Sequence, residues 1–310
     1  MSNCLEKGAA DDYIDLPDDI LSADFDQQGV AYDLIDNDKL GNRAIVIHNV
    51  LTIEECNRIR ELMDSRDREP TFQGEVVMTA ANLKLSYRNN LRILAKNTSI
   101  ASALLERCTP ILTQIGENVK LCSSGNAEEY LHGGVGMRGL WTLNHLNPLF
   151  RLCKYNPMGH FGPHYDSDYI VDPCLLRSLK TFMIYLNDDY EGGQTSFVDC
   201  HDMYLDPDRG IYCSPPDKVF AQLKARTGDL LVFDHKILHE GMQVISGQKY
   251  IMRSDVMYAR GEGGEEDSIS AEAVRTYHAG IKLEEQGLVD DAIVKYRRAY
   301  KMCPELERYF

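Results

Sequence analysis

The spacing of hydrophobic positions changes along the chain and predicts different elements in different segments. Ala44–Ile47 is β-rich and is followed by Thr52-Ile53-Glu54-Glu55, a sequence typical of the capping box that opens a helix. The apolar positions after it recur at the spacing of one helix face: Ile53, Cys56, Ile59, Leu62 and Met63. A helical stretch covers Ile100–Leu105, and Thr109-Pro110 supplies an N-cap and a first-turn proline for another helix. We expect these helices to support a sheet.

Between Phe150 and Tyr258 the helical spacing gives way to short β-rich runs separated by Gly, Asp and Pro. The runs are Arg151–Tyr155, Lys180–Leu186, Leu230–Phe233 and Tyr250–Tyr258. Short strands with tight turns and no helices between them are typical of an antiparallel sandwich or jelly roll. The Asp- and Pro-rich segment from Cys200 to Arg226 predicts a long loop over one mouth of that fold.

The two ends of the chain depart from this β-rich pattern, which we place in a domain at 41–260. Residues 1–40 combine repeated aspartates with few aliphatic residues, and this composition predicts an acidic flexible tail. The apolar positions from Ile14 to Phe25 leave a short binding motif open as an alternative. Gly- and Glu-rich residues 261–268 predict a linker.

Residues 269–310 predict a helical hairpin similar to one tetratricopeptide repeat. Ala273 to Leu306 spans one 34-residue unit. The glycine, small, aromatic and proline positions of such a repeat fall on Gly280, Ala292, Tyr296, Ala299 and Pro304. One unit cannot bury both of its faces. We therefore expect it to dock on the β domain, to bind a protein partner, or to continue in a longer chain.

Composition and charge limit the classes of function. A chain of 310 residues with 44% hydrophobic and 26% charged residues is typical of a folded protein with two structural units. A formal charge of −15 disfavours nucleic acid as a partner. Nine cysteines without a CxxC pair indicate reduced, buried thiols. The sequence shows neither a secretory signal pattern nor a long apolar run, so we expect a cytoplasmic or nuclear protein that does not bind membranes.

Candidate metal ligands occur in the segment His160-Phe161-Gly162-Pro163-His164-Tyr165-Asp166. His164 and Asp166 are two residues apart, so on a strand both side chains emerge on one face. A second histidine would complete a 2-His-1-carboxylate set, which favours non-heme iron(II). His239, in His239-Glu240-Gly241, is the candidate, and His235 is its rival because the two share a strand face.

His-x-Asp alone is a weak signal, but further motifs follow it in order. They are Glu191-Gly192-Gly193-Gln194-Thr195, Gly228-Asp229-Leu230-Leu231-Val232-Phe233, and His239 with Lys249 ten residues later. With these motifs, the chain resembles the prolyl 4-hydroxylase-like branch of the iron(II)/2-oxoglutarate oxygenases from about Arg43 to Arg260. The resemblance implies a mainly β fold with flanking helices: a double-stranded β-helix (jelly roll), here with a C-terminal α-hairpin.

The resemblance also implies roles for individual residues. The metal ligands would be His164, Asp166 and His239, and Lys249 would bind the far carboxylate of 2-oxoglutarate. Tyr155, Tyr185 and Thr195 would line the same pocket. Arg253, four residues after Lys249, could share or replace its role. The resemblance is incomplete, because prolyl hydroxylases often place an arginine where this chain has Ser178, with Arg177 one position away.

The function implied by the resemblance is hydroxylation of a protein or peptide side chain, with prolyl as the best single assignment. Fe(II), 2-oxoglutarate and O2 would be required, ascorbate is a candidate reductant, and succinate and CO2 would be coproducts. Two alternatives stay open. One is a small-molecule hydroxylase of the same mechanism, and the other is a catalytically silent jelly-roll adaptor.

Overall fold

The computed structural model describes residues 13–26, 29–35, 43–66, 86–115, 119–121, 139–199, 202–261, 265–304 and 306. The α-helices among them are α1 (Ile53–Arg66), α2 (Thr98–Ile115), α3 (Glu265–Glu285) and α4 (Val289–Met302). Short 3-10 helices cover Asp18–Ile20 and Pro216–Lys218. The strands are β1 (Ile14–Asp15), β2 (Ala31–Leu34), β3 (Ala44–His48), β4 (Arg88–Asn89), β5 (Leu91–Lys96), β6 (Val119–Leu121), β7 (Gly139–Leu146), β8 (Leu149–Tyr155), β9 (His160–His164), β10 (Ile170–Asp172), β11 (Leu176–Tyr185), β12 (Glu191–Gly192), β13 (Thr195–Val198), β14 (Tyr204–Asp206), β15 (Ile211–Cys213), β16 (Val219–Leu223), β17 (Leu230–Asp234), β18 (His239–Gly241), β19 (Val244–Ser246) and β20 (Lys249–Arg260).

The chain divides into two compact units. Unit 1 comprises Met1–Ile115, His145–Ser167 and Lys180–Val256, and unit 2 comprises Gly116–Asn144, Asp168–Leu179 and Met257–Phe310.

The two largest sheets organise unit 1. One has the strand order β1-β5-β8-β20-β11-β17-β3-β2, and the other has the order β16-β13-β18-β9-β4. Of the strands from β8 to β20, β8, β11, β17 and β20 lie in the first sheet and β9, β13, β16 and β18 in the second, while β12 with β19 and β14 with β15 form separate two-stranded sheets. This connection pattern is that of a jelly roll. The predicted fold class, mainly β with helices and a double-stranded β-helix, is confirmed.

The core of unit 1 contains side chains that alternate along these strands. Cys153 and Tyr155 on β8 share a buried cluster with Met183 and Tyr185 on β11 and with Phe233 on β17. Alternate residues of a strand face one side of its sheet. One face of each of these strands therefore packs into this cluster. The four β-rich runs predicted between Arg151 and Tyr258 are confirmed as β8, β11, β17 and β20, with bounds that differ by a few residues.

The N-terminal segment packs more closely than its composition predicts. Leu16 and Ile20 are buried, at 3% and 4% exposure, and β1 pairs in parallel with β5. The prediction of a flexible tail over 1–40 is therefore wrong for residues 13–26, because a few apolar side chains are enough to fix a segment that meets an existing surface. Residues 1–12, 27–28 and 36–42 lie outside the described residues.

The capping box predicted for α1 forms, while the two helices predicted around Pro110 are one. Thr52 N–H donates to Glu55 Oε2 at 2.8 Å, and Glu55 N–H donates to Thr52 Oγ1 at 3.2 Å. α2 runs through Pro110 to Ile115. Thr109 therefore lies inside a helix and does not start one, and its hydroxyl donates to the Leu105 carbonyl of the preceding turn at 2.8 Å.

The segment predicted as a long loop contains regular structure. β14 and β15 form an antiparallel hairpin in which Tyr204 pairs with Cys213. β16 then pairs with β13, with Thr195 opposite Leu223. The Asp- and Pro-rich composition marks the turns of this segment, but its apolar and polar residues alternate too little to predict strands. Residues 200–201 lie outside the described part.

Unit 2 contains the predicted pair of C-terminal helices. Cys174, Ala273, Val274 and Ala299 are buried in one apolar cluster, and a Cβ on Gly280 would lie 2.6 Å from Tyr296 Cε1, so the small residue permits this approach of α3 and α4. α3 begins at Glu265, inside the predicted linker, whose residues 262–264 are not described. A tetratricopeptide-like role for the pair stays a prediction.

Among the described residues, none of the helices has the length and apolar character needed to cross a membrane.

Candidate active site

Three side chains with metal-ligand chemistry meet where β9 and β18 pair. His164 lies directly opposite His239 on these antiparallel strands. The Nε2 atoms of both histidines lie 3.7 Å from a carboxylate oxygen of Asp166. One ligand atom from each residue falls within 4.8 Å of the others. Strand β9 ends at His164, so Asp166 reaches the site from the following loop and not from the strand on which it was predicted.

Hydrogen bonds fix the orientation of both imidazole rings. His164 Nδ1 lies 2.8 Å from the Gly162 carbonyl oxygen, and His239 Nδ1 lies 2.9 Å from the Ile237 carbonyl oxygen. A carbonyl only accepts, so the proton is on Nδ1 and the lone pair of Nε2 faces Asp166. Burial lowers the pKa of both histidines, so each is neutral at pH 7.

The carboxylate is held in its ionised form. Burial alone would raise the pKa of Asp166, but the charge of Arg253 holds that pKa below its ordinary value. An Arg253 guanidinium nitrogen lies 2.9 Å from Asp166 Oδ1. On the other side, the Thr181 hydroxyl donates to Asp166 Oδ2 and lies 3.0 Å from His235 Nδ1.

The rival ligand His235 therefore contacts the site indirectly. Its imidazole meets Thr181, and its backbone carbonyl accepts a hydrogen bond from the Asp166 N–H at 3.2 Å. Among the described residues, the group with metal-ligand geometry contains His239 and does not contain His235. His235 is placed to position Asp166.

The donor set fits iron(II). Two neutral imidazole nitrogens and one ionised carboxylate make a 2-His-1-carboxylate site, which leaves coordination positions for other ligands. The aromatic ring of Phe161 stacks on His164 with 3.5 Å between centroids, and the ring of Phe233 meets His239 edge-on at 4.7 Å. These contacts further limit the rotation of both ligand rings.

A cavity lies against the three ligands, and most of the predicted pocket residues line it. The lining comprises Arg88, Arg92, Arg151, Cys153, Tyr155, Phe161, His164, Tyr165, Asp166, Ser167, Met183, Thr195, Phe233, His239, Gly241, Lys249, Ile251 and Arg253. Tyr185, also predicted to line the pocket, lies behind this surface, where its hydroxyl is 2.7 Å from the Thr195 hydroxyl.

Lys249 projects a buried ammonium toward this cavity. Its Nζ donates to the Gly193 carbonyl at 2.7 Å and lies 5.6 Å and 5.3 Å from the ring centroids of Tyr155 and Tyr185. Burial lowers the pKa of Lys249 to about 8. In the described part of the chain, no carboxylate forms an ion pair with it, so a buried cation faces the cavity with neutral neighbours. An incoming carboxylate would supply the missing counter-charge.

Sequence reasoning assigned no role to several residues of the site. Arg151 lines the cavity, and its parity with Tyr155 on β8 was a signal that could have placed it there. Arg92 had no such signal, because its strand β5 was not predicted. Thr181 holds Asp166 through a contact between residues 15 positions apart, which no local pattern indicates.

Comparisons with known proteins agree with this chemistry. Residues 150–254 match the 2OG-Fe(II) oxygenase superfamily. The chain is 25% identical over 221 residues to prolyl 4-hydroxylase 1 of Arabidopsis thaliana. The aligned region covers 67% of this chain and 66% of the relative. The probable prolyl 4-hydroxylase 10 of the same plant matches with the same identity and coverage. The chain thus spans slightly less than two thirds of the length of these two relatives.

A solved structure with a similar chain path is the viral collagen prolyl hydroxylase of Paramecium Bursaria Chlorella virus-1 in its 2-oxoglutarate complex. Its TM-score is 0.41 at 16% identity, with coverage of 72% of this chain and 99% of that one. The superfamily match covers the positions of His164, Asp166, His239 and Lys249. The match over residues 150–254 and the group of metal-ligand residues together support a 2-oxoglutarate-dependent dioxygenase, a class of enzyme that uses Fe(II) as its cofactor and 2-oxoglutarate and O2 as cosubstrates.

Proposed function

We propose that this protein hydroxylates a side chain of a protein or peptide, in the manner of a prolyl 4-hydroxylase, with succinate and CO2 as coproducts. One observation carries the proposal: the two-histidine, one-carboxylate group and the buried ammonium of Lys249 line the same cavity. Such a cavity offers a metal and a dicarboxylate cosubstrate adjoining positions, which a silent adaptor has no need to keep.

Each residue has a defined part in this chemistry. Bound Fe(II), with 2-oxoglutarate and O2, supplies the oxidising power that replaces a C–H bond of the substrate by C–OH. His164, Asp166 and His239 hold the metal, and their hydrogen bonds keep the donor atoms aimed at one point. Lys249 binds the distal carboxylate of 2-oxoglutarate by a charge-assisted contact that burial strengthens.

Tyr155 and Thr195 support this end of the cavity. Both line it, and the Thr195 hydroxyl is ordered by its contact with Tyr185. The tyrosine rings beside Lys249 keep water from the ammonium, and a hydroxyl on the wall offers a further donor to a carboxylate. These residues position the cosubstrate and limit unproductive access of solvent.

The prolyl assignment rests on the relatives that are named prolyl 4-hydroxylases. Arg177, the arginine near the position where such enzymes often have one, forms an ion pair with Asp168 inside unit 2. The peptide sequence around the hydroxylated residue is therefore a property to be determined for this chain itself.

The proposal is tested by turnover and by isotope incorporation. Purified protein with Fe(II), 2-oxoglutarate and O2 should form succinate, and proline-containing peptides should increase that rate. Under oxygen-18 gas, mass spectrometry should find the heavy oxygen in the peptide product. A protein that binds Fe(II) but forms no succinate above the level of its His239→Ala variant would contradict the proposal.

A further inference from the structure

One glycine in the wall of the cavity, Gly241, is not explained by the needs of the folded chain. A glycine is required where the backbone has a positive φ, or where another group approaches too closely for a side chain. Gly192 shows both reasons, because its φ is +71° and an added Cβ would lie 2.3 Å from the Gln243 carbonyl oxygen. Gly162 shows the second, because an added Cβ would lie 2.9 Å from Cδ2 of the Tyr87 ring.

Gly241 meets neither of these conditions. Its φ is not positive, and an added Cβ would have ordinary van der Waals contacts of 3.7 Å or more, all with Phe161, among the described residues. Glycine in a strand also costs stability relative to alanine. In the part of the chain that the structure describes, Gly241 is the one glycine that lines the cavity. The protein thus has room for a side chain here, and that room belongs to the cavity.

Strand register places Gly241 between the candidate metal ligands and Lys249. Gly241 pairs with Thr195 of β13, and His239 pairs with β13 two residues further along, on the same face. In the other direction, two residues before Thr195, the Gly193 carbonyl accepts the hydrogen bond from Lys249 Nζ at 2.7 Å. Each of these two steps corresponds to about 7 Å of strand. A path along this wall from the metal ligands to the buried ammonium therefore passes Gly241.

The neighbours of Gly241 in the sheet are held in place. On one side, Thr195 has its hydroxyl 2.7 Å from the Tyr185 hydroxyl. On the other side, Gly241 pairs with Phe161, whose ring stacks on His164 with 3.5 Å between centroids. Both neighbours line the cavity. Because their contacts hold these two side chains, they do not turn into the space that Gly241 leaves open.

The cosubstrate would follow this path. Under the proposed function, the keto-acid end of 2-oxoglutarate binds at the metal and its distal carboxylate binds Lys249. The carbons between these ends, C3 and C4, carry only hydrogen, so the ligand is narrowest in its middle. Gly241 lies beside this middle part, where the wall of the cavity is widest.

We propose that Gly241 determines the size of the cosubstrate: by leaving the wall without a side chain, it lets the cavity accept a 2-oxo dicarboxylate with a methyl branch on C3 or C4 as well as 2-oxoglutarate. The inference rests on the proposed function for the places of the metal and of 2-oxoglutarate. The side chain at position 241 then sets the width of the ligand that fits between the metal ligands and Lys249.

Binding measurements test this role without turnover. The full chain, loaded with Zn²⁺ in place of iron, is titrated by calorimetry with 2-oxoglutarate, 3-methyl-2-oxoglutarate and 4-methyl-2-oxoglutarate. The dissociation constant of each methylated compound is divided by that of 2-oxoglutarate within the same protein, so a general weakening cancels. We expect at least one methylated compound to bind the wild-type protein within about tenfold of 2-oxoglutarate. Gly241→Ala should raise that ratio about tenfold or more, and Gly241→Val should raise it further, since a pocket of fixed width discriminates one carbon by this order.

A control variant and a second measurement separate this role from a structural one. Gly29→Ala is the matched control, because an added Cβ there has no described atom within 4 Å and the residue does not line the cavity. It should keep the wild-type ratio. Thermal unfolding of Gly241→Ala should occur at or above the wild-type temperature, because alanine loses less conformational entropy and its Cβ makes only ordinary contacts.

Three results would overturn the inference. They are a ratio that stays the same in the wild-type, Gly241→Ala and Gly241→Val proteins, a wild-type protein that binds 2-oxoglutarate but neither methylated compound, and a Gly241→Ala protein that unfolds well below the wild-type temperature. The last result would make the glycine a requirement of the fold. A ratio that follows the size of the side chain at position 241 in a protein that hydroxylates no peptide would support the inference and contradict the proposed function instead.

Discussion

Two cationic regions line the cavity, one around Lys249 and the other around Arg151 and Arg253, and their charges are balanced in different ways. At one end, the single ammonium of Lys249 is buried among neutral groups, and its pKa is lowered to about 8 because burial disfavours its charged form. At the other end, Arg151 and Arg253 keep their charge beside the buried carboxylates Asp255 and Asp166. The same strand, β20, contributes a residue to both.

The two regions therefore differ in the kind of cation that the same strand presents to the cavity. A compact ammonium is a point charge that can meet a carboxylate from several directions, whereas a planar guanidinium needs a partner of fitting geometry. The Lys249 ammonium loses its positive charge as the pH rises above its pKa of about 8. The arginine region does not lose its charge in this range, since a guanidinium stays protonated in proteins.

The largest effect on turnover should come from removing the candidate metal ligands, which line the same cavity as both regions. We expect 2-oxoglutarate turnover to fall below detection in each of His164→Ala, Asp166→Ala and His239→Ala, since each loses a metal donor. His235→Ala should cost about 10- to 100-fold, because it only supports Thr181 and Asp166. Turnover assays with metal analysis of the purified variants check this ranking. Full turnover in His239→Ala with loss in His235→Ala would make His235 the ligand.

A smaller effect, on the Michaelis constant for 2-oxoglutarate, should distinguish the Lys249 region from the arginine region. Lys249→Ala should raise the Michaelis constant for 2-oxoglutarate by about 30-fold or more, since it leaves a buried carboxylate without its partner. Arg253→Ala should raise that constant less, because its guanidinium lies against Asp166. Titration of both variants with 2-oxoglutarate at saturating Fe(II) measures the difference. The reverse order would move the carboxylate anchor to Arg253.

The pH dependence should also differ between the two regions. The lowered pKa of Lys249, about 8, means that its charged form dominates below pH 8 and is lost above it. Because the charged form binds the carboxylate, kcat/KM for 2-oxoglutarate should fall above pH 8, approaching about tenfold per pH unit. Lys249→Arg keeps its charge in this range and should flatten the profile. An unchanged profile in that variant would assign the pH dependence to another group.

The smallest effect on turnover should come from changes in the C-terminal helices. A chain truncated before Ser268 should keep most of its 2-oxoglutarate turnover without added substrate, because the cavity is lined by residues of unit 1. Insoluble protein after truncation would make the helices part of the structural core.

A point substitution gives a milder version of this test. Gly280→Ala places a Cβ 2.6 Å from Tyr296 Cε1, so it should lower the stability of the helical pair by about 1–3 kcal/mol. Thermal unfolding followed by circular dichroism measures this change, and turnover at low temperature should stay near that of the wild-type protein. A large loss of turnover with little change in unfolding would contradict this separation.

Local sequence patterns predicted the elements that have a regular period or a cap. The alternation around Arg151–Tyr155 and Tyr250–Tyr258 gave β8 and β20, and the Thr52 and Glu55 pair gave the start of α1. Pro110 was misleading, because its usual place in the first turn of a helix does not hold inside α2. The strands near residues 204–223 lacked a clear alternation and were missed.

The sequence by itself determined which residue types the site could use: two histidines and an aspartate in motif order, and Lys249 ten positions after His239. Only the tertiary structure decided that His239, opposite His164, completes the group while His235 supports Asp166 through Thr181. It alone also brought Arg92 from β5 beside Arg151 and Arg253. The reason is physical: spacing along a chain fixes the face on which a side chain emerges, whereas pairing between distant strands fixes which faces meet.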